Sequence, residues 1–170
     1  MAGGGVVKVL AYGSNLLLAR MRGRAPSAEP VTTVRLPGYA LRFHKRGRDG
    51  SGKADAFFTG RGQDVVCGVV YELSPADKAG LDLAEGLGRD YFEHPVELTG
   101  GDGTGFHASV YTASPSMIDG RLVPFSWYKE MVVSGAREHG LPAQYVAALE
   151  SVEARADGDA ERVQAASRLL

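Results

Sequence analysis

Six short apolar runs, punctuated by glycine-rich turns, limit what this chain can fold into more than any other feature. They are Val6–Ala11, Thr32–Phe43 (with a break at Pro37-Gly38), Ala54–Thr59, Val65–Leu73, Tyr91–Thr99 and Phe106–Thr112. Each has strand length, and turns at Arg46–Gly52, Gly60–Asp64 and Gly100–Gly105 separate them. The pairs flanking the last two turns read as hairpins. Helical signals are fewer. Ser74-Pro75 supplies an N-cap and a first-turn proline for a helix that runs to about Ala84 and leaves Glu85 at its end, just before Gly86. Pro124 or Ser126 opens another, with Trp127, Met131, Val132 and Ala136 on one face, stopped by Gly140 and Pro142. Tyr145, Ala148, Leu149 and Val152 repeat at helical spacing, and the tail from Ala154 is helical or frayed. With 170 residues, 44% of them hydrophobic, the chain has material for one core. The expectation is a single α+β domain over 1–170, with a mixed sheet and frayed ends at 1–5 and about 154–170.

Charge and cysteine content remove several classes of function. Nineteen Lys and Arg balance twenty Asp and Glu, so no strong field is aimed at nucleic acid or a membrane surface. Arg20, Arg22 and Arg24 lie at the end of a short apolar helix and read as a solvated C-terminal turn. A single cysteine, Cys67, excludes an intramolecular disulfide and a thiolate metal cage, and its apolar neighbours make it a small core residue. His44, His94, His107 and His139 have no ligand spacing. Gly101-x-Gly103-x-Gly105 is followed by a strand, so it reads as a hairpin loop and not as a phosphate cradle. Neither metal nor cofactor is expected. The N-terminal segment lacks a basic region and a long apolar stretch, which predicts a cytoplasmic chain without a signal peptide.

One turn stands out chemically. The run Val6–Ala11 breaks at Gly13, and Ser14 and Asn15 occupy an N-cap position ahead of Leu16–Met21. A strand that turns sharply into a helix leaves backbone N–H groups unpaired around one small space, which suits a carboxylate or an oxyanion. Ordinary turn chemistry would use the same residues.

A second segment, Leu81-Asp82-x-x-Glu85-Gly86 followed by Tyr91, gives the first its meaning. Together with Tyr12-Gly13-Ser14-Asn15-Leu16 it resembles the γ-glutamylcyclotransferase family. The likeness continues through Gly38-Tyr39-x-Leu41-x-Phe43, Cys67-Gly68-Val69-Val70-Tyr71-Glu72-Leu73, Tyr128-Lys129 and Gly135–Tyr145, covering about Val6 to Glu153. The later segments resemble the γ-glutamyl-amino-acid branch more than the glutathione-specific one. Gly13-Ser14-Asn15 also differs from the Gly-Thr-Leu turn of the γ-glutamylamine branch. The resemblance implies a sheet curled toward a small β-barrel and a cofactor-independent enzyme that releases 5-oxoproline. It implies Glu85 as the proton shuttle, with Tyr12, Gly13, Ser14, Asn15, Leu16, Tyr91 and Tyr128 around the substrate. Leu81, Leu83 and Leu87 are expected to give Glu85 an apolar surround, and Asp82 to be exposed or a local cap. The pattern departs at Glu93, where relatives carry an arginine.

The expected partner is a small γ-glutamyl compound; a homodimer is compatible with the chain. Two alternatives accompany this reading. One is removal of a γ-glutamyl protecting group from a carrier-bound intermediate, with Arg20, Arg22, Lys45 and Arg46 as a basic rim for an acidic carrier protein. The other is a binding protein that keeps the pocket without the chemistry.

Overall fold

The computed structural model describes residues 4–170; of the N-terminal stretch expected to fray, residues 1–3 lie outside it. Strand β1 (Val7–Ala11) is the middle of a five-stranded mixed sheet because its apolar residues are covered on both faces: Val9, Leu10 and Ala11 are all buried. It pairs antiparallel with β5 (Val65–Leu73) and parallel with β7 (Gly105–Ala113). Strands β2 (Glu29–Pro37) and β6 (Tyr91–Thr99) take the edges, giving the order β2-β5-β1-β7-β6. Gly68 makes the central pairing tight: a Cβ there would come within 2.4 Å of the Ala11 carbonyl oxygen.

Strands β3 (Tyr39–Arg46) and β4 (Gly52–Phe58) form a separate antiparallel hairpin. The hairpin across Gly100–Gly105 joins β6 to β7 as read from sequence. The one expected across Gly60–Asp64 is not formed, since β4 turns back onto β3 and β5 enters the large sheet. The sheet also does not close into a barrel. Its edges meet at a single bridge, Val34 to Gly100, and no ladder follows.

Among the helices, α1 spans Leu18–Arg24, α2 Pro75–Glu85, α3 Ser126–Glu138, α4 Ala143–Glu150 and α5 Ala160–Ser167. Helix α2 has the ends its sequence encodes. The Ser74 side chain accepts from the Asp77 N–H, Pro75 starts the helix, and Gly86 ends it in the left-handed region at φ 67°. The tail proves helical. Asp159 caps α5, and Ala166 joins a small cluster with Leu17 and Met131. Helix α3 lies against the turn after β1 and depends on Gly135 to do so. A Cβ at that position would sit 2.4 Å from Leu17 N and 2.6 Å from Leu16 C.

Candidate active site

The chain leaves β1 at Tyr12 and makes a 3-10 turn, Ser14–Leu16, before α1 begins at Leu18. Ser14 and Asn15 are therefore not the helix N-cap that the sequence implied. Gly13 precedes the turn, and neither it nor Leu17 makes a side-chain cap bond. Gly13 has φ −104°, so its value here is space and not handedness. A Cβ would approach Ala54 Cβ to 3.0 Å and Tyr128 Oη to 3.4 Å. The Leu16 and Leu17 N–H groups are used inside the turn, on Gly13 O and Ser14 O. The Ser14 and Asn15 N–H groups find no acceptor among the described residues. From behind, the Tyr71 hydroxyl donates to Leu16 O (3.0 Å), and His139 Nε2 lies 2.9 Å from the same oxygen.

The end of α2 reaches this turn. Asn15 Nδ2 donates to Glu85 Oε1 at 2.8 Å, and Arg24 Nη1 donates to the same oxygen at 2.8 Å and to Asn15 Oδ1 at 3.0 Å. The two motifs thus form one hydrogen-bonded unit, although 70 residues separate Asn15 from Glu85. The surround of Glu85 is not the leucine-rich one expected. Leu81 is buried in the core, but Leu83 is 80% exposed on the outer face of α2, and Leu87, beyond the left-handed turn at Gly86, is 39% exposed. Arginine and asparagine hold the carboxylate instead.

Both motifs open onto a narrow cavity of about 40 Å³, lined by Gly13, Ser14, Asn15, Glu85, Tyr12, Tyr91, Tyr111 and Tyr128, whereas Leu16, expected beside the substrate, is buried in the core behind it. Burial pushes the hydroxyls of Tyr12, Tyr91, Tyr111 and Tyr128 upward; nearby Asp55 adds to this at Tyr12, and the Asp82 carboxylate at Tyr111. These phenols stay protonated near neutral pH and serve as hydrogen-bonding walls. Glu85 is the one carboxylate among the described residues lining the cavity. Tyr91 Oη donates to Ala54 O at 2.8 Å, while Ala54 N–H donates to Tyr128 Oη at 3.1 Å. One residue of β4 is clamped through both its backbone N–H and its C=O, and the Tyr128 hydroxyl keeps its own proton for another acceptor. Tyr12 instead donates to the Tyr111 backbone oxygen, so its ring and not its hydroxyl faces the cavity.

The neck of the cavity, marked by Ser14, Glu85, Tyr91 and Tyr128, widens into a vestibule of about 370 Å³. Arg20, Arg24, Lys45, Arg48, Lys53 and Arg162 line it. The reading of all three α1 arginines as solvated is therefore wrong for two of them: only Arg22 turns outward, to Glu29 at 2.8 Å. Of the expected basic rim, Arg20 and Lys45 reach the vestibule, whereas Arg46 pairs with Asp119 outside it. Asp82 is neither exposed nor a cap. It accepts from Tyr111 Oη and from Lys78, which also binds Glu93, so Tyr111 is locked against α2. Tyr111 and Arg24 were missed in the sequence, and Arg20 was expected only in the rim of the carrier-protein alternative. The spacing of Arg20 and Arg24, four apart directly after the turn, was the available signal.

This combination of a mixed sheet, an anion-ready turn and a half-buried glutamate has relatives. The model of the AIG2-like family matches residues 65–149. A bovine γ-glutamylcyclotransferase is 34% identical over 148 residues, spanning 84% of this chain and 77% of the relative; the human protein of that name is 30% identical over 153 residues with the same coverage. A solved γ-glutamyl cyclotransferase structure superposes with a TM-score of 0.83 at 25% identity, over 96% of this chain and 99% of its own. The chain belongs to the AIG2-like γ-glutamylcyclotransferase family, a family of enzymes.

Proposed function

We propose that the chain cyclises γ-glutamyl compounds, releasing 5-oxoproline and an amine, with Glu85 as base and then acid. The observation that carries this is the 2.8 Å bond joining Glu85 to Asn15, which sets one carboxylate against a turn with two free N–H groups. The nucleophile is the substrate's own α-amine, so the protein's task is positioning, proton transfer and charge stabilisation. Glu85 takes a proton from the α-ammonium. The amine attacks the γ-carbonyl carbon, closing a five-membered ring and placing negative charge on the carbonyl oxygen. Collapse of that oxyanion breaks the bond to the outgoing nitrogen as Glu85 returns the proton to it, and the second proton that attack leaves on the ring nitrogen passes through the same carboxylate to the freed amine, which departs as an ammonium. The Ser14 and Asn15 N–H groups supply donors for an anionic oxygen of the glutamyl head, and the Tyr128 hydroxyl supplies a third.

The four tyrosines exclude bulk water from the reacting end, favouring internal attack over hydrolysis. The outgoing group lies in the vestibule, which places the scissile bond at the neck beside Glu85. Ring closure has no redox step and no need of an external nucleophile, so turnover should persist in excess chelator. The cytoplasm is the compartment we assign to it. Incubation with γ-Glu-Ala and detection of 5-oxoproline tests this reading. A folded enzyme that forms none from any γ-glutamyl amino acid or amine would overturn it in favour of a binding protein.

A further inference from the structure

The vestibule carries more positive charge than its own carboxylates neutralise. Arg24 pairs with Glu85 at 2.8 Å, Lys45 with Asp90 at 3.4 Å, and Lys53 with Asp49 at 2.8 Å. Arg162 is taken by Asp157 at 2.7 Å and Asp159 at 3.0 Å. Arg20 and Arg48 have no carboxylate partner among the described residues, yet both line the space. Arg48 is exposed. Arg20 is different: it is half-buried, and its Nε is sealed from solvent with no hydrogen-bond partner. Burial and the neighbouring Arg24 push its guanidinium below the usual arginine value, and Glu85, which pairs with Arg24, offsets only part of this. A buried donor left unpaired is destabilising, and such groups persist where a ligand completes them.

We propose that the vestibule selects γ-glutamyl substrates whose outgoing amine carries two negative charges, with Arg20 as the specificity-determining residue and Arg48 assisting. This rests on the cyclotransferase reading for the placement of the outgoing group. Arginine suits the role because its planar fork binds a carboxylate or phosphate through two parallel bonds. Arg20 and Arg24 stand one helical turn apart on α1, so the carboxylate paired with Arg24 and the anion bound to Arg20 are neighbours. An anionic outgoing group on Arg20 thereby holds the scissile nitrogen near Glu85. A neutral amine leaves Arg20 unpaired.

The test compares turnover of γ-Glu-Glu with γ-Glu-Gln, which differ by one charge at nearly constant shape. A second arm compares γ-glutamyl-phosphoethanolamine with γ-glutamyl-ethanolamine, separating a phosphate from a second carboxylate as the preferred anion. The member of at least one pair with the more negative outgoing group should have a kcat/KM roughly tenfold higher, the effect of one charge-assisted hydrogen-bonded contact. High salt should shrink the difference, and Arg20→Gln should abolish it, with Arg20→Lys restoring part. Calorimetry with N-glutaryl-glutamate and N-glutaryl-glutamine, which lack the attacking amine, measures the same preference without turnover. Should Arg20→Gln fail to fold, Arg48→Gln gives the weaker version of the loss. Equal kcat/KM within both pairs overturns the charge selection; equal binding of the two glutaryl compounds beside a preference in the phosphate pair assigns the site to phosphate. A binding preference with no 5-oxoproline from any substrate would instead retain the selection and remove the cyclotransferase reading.

Discussion

A glutamate becomes useful for moving protons when its neighbours fix its position and no competing base is near. Asn15 and Arg24 fix Glu85 through one oxygen, and the surrounding phenols are held protonated by burial. Glu85→Gln keeps an oxygen for both donors, so the fold should survive while kcat falls roughly 100-fold or more. Circular dichroism and a 5-oxoproline assay check the two halves of that statement. Tyr91→Phe should behave differently. It leaves the buried Ala54 carbonyl without its donor and should lower stability by about 1–3 kcal/mol in urea titration. At this scale Glu85 and the Gly13–Leu16 turn were legible in the sequence because each belongs to a compact motif. Arg24 was not. An arginine near a helix end is normally solvated, and only the approach of α2 from 61 residues away gives Arg24 its partner.

Secondary-structure elements were legible where their signals are local. Ser74-Pro75 and Gly86 bound α2 within the chain itself, so both ends could be read directly. Strand pairing was less accessible. The Gly60–Asp64 turn looks like a hairpin, but β2 and β1 both compete for β5, and the large sheet buries more apolar surface than a β4–β5 ribbon would. Two helical glycines make a paired prediction. Gly135→Ala sets a Cβ against the backbone of Leu16 and Leu17, so the turn must shift; stability should drop by about 1–3 kcal/mol and turnover should fall with it. Gly80→Ala in α2 meets nothing closer than the Arg24 carbonyl oxygen at 3.6 Å and should gain about 0.5–1 kcal/mol from helix propensity. Melting curves of both variants decide the signs.

For the molecule as a whole, acid is the expected weakness. Asp90 is held below the ordinary carboxylate range chiefly by its bond to Arg89, and by Lys45. Asp119 is held down by Arg121, and Asp157 by Arg162. A carboxyl that binds protons more weakly folded than unfolded adds stability above its unfolded pKa. That stability is lost as pH falls through the folded value. Melting temperature should therefore be flat near neutrality and decline progressively below about pH 4. A melting temperature unchanged down to pH 2 would contradict this. The α+β class and mixed sheet followed from the apolar runs, but the pairing of β1 with β5 did not, since the run at Val65–Leu73 reads as the partner of its neighbour across Gly60–Asp64. Closure into a barrel did not follow, because whether two edges meet depends on twist accumulated over five strands, which no local residue encodes.

The clamp on Ala54 gives the protein a built-in spectroscopic reporter. This amide donates to the hydroxyl of Tyr128 at the neck, so any molecule that accepts that hydroxyl's proton polarises the bond behind it. In a 15N-labelled sample, the Ala54 cross-peak should move downfield on titration with 5-oxoproline, and Tyr128→Phe should silence the response. The far end of the same strand, around Phe58, should stay unmoved. Occupancy could then be followed one nucleus at a time, in a sample where nothing is being turned over.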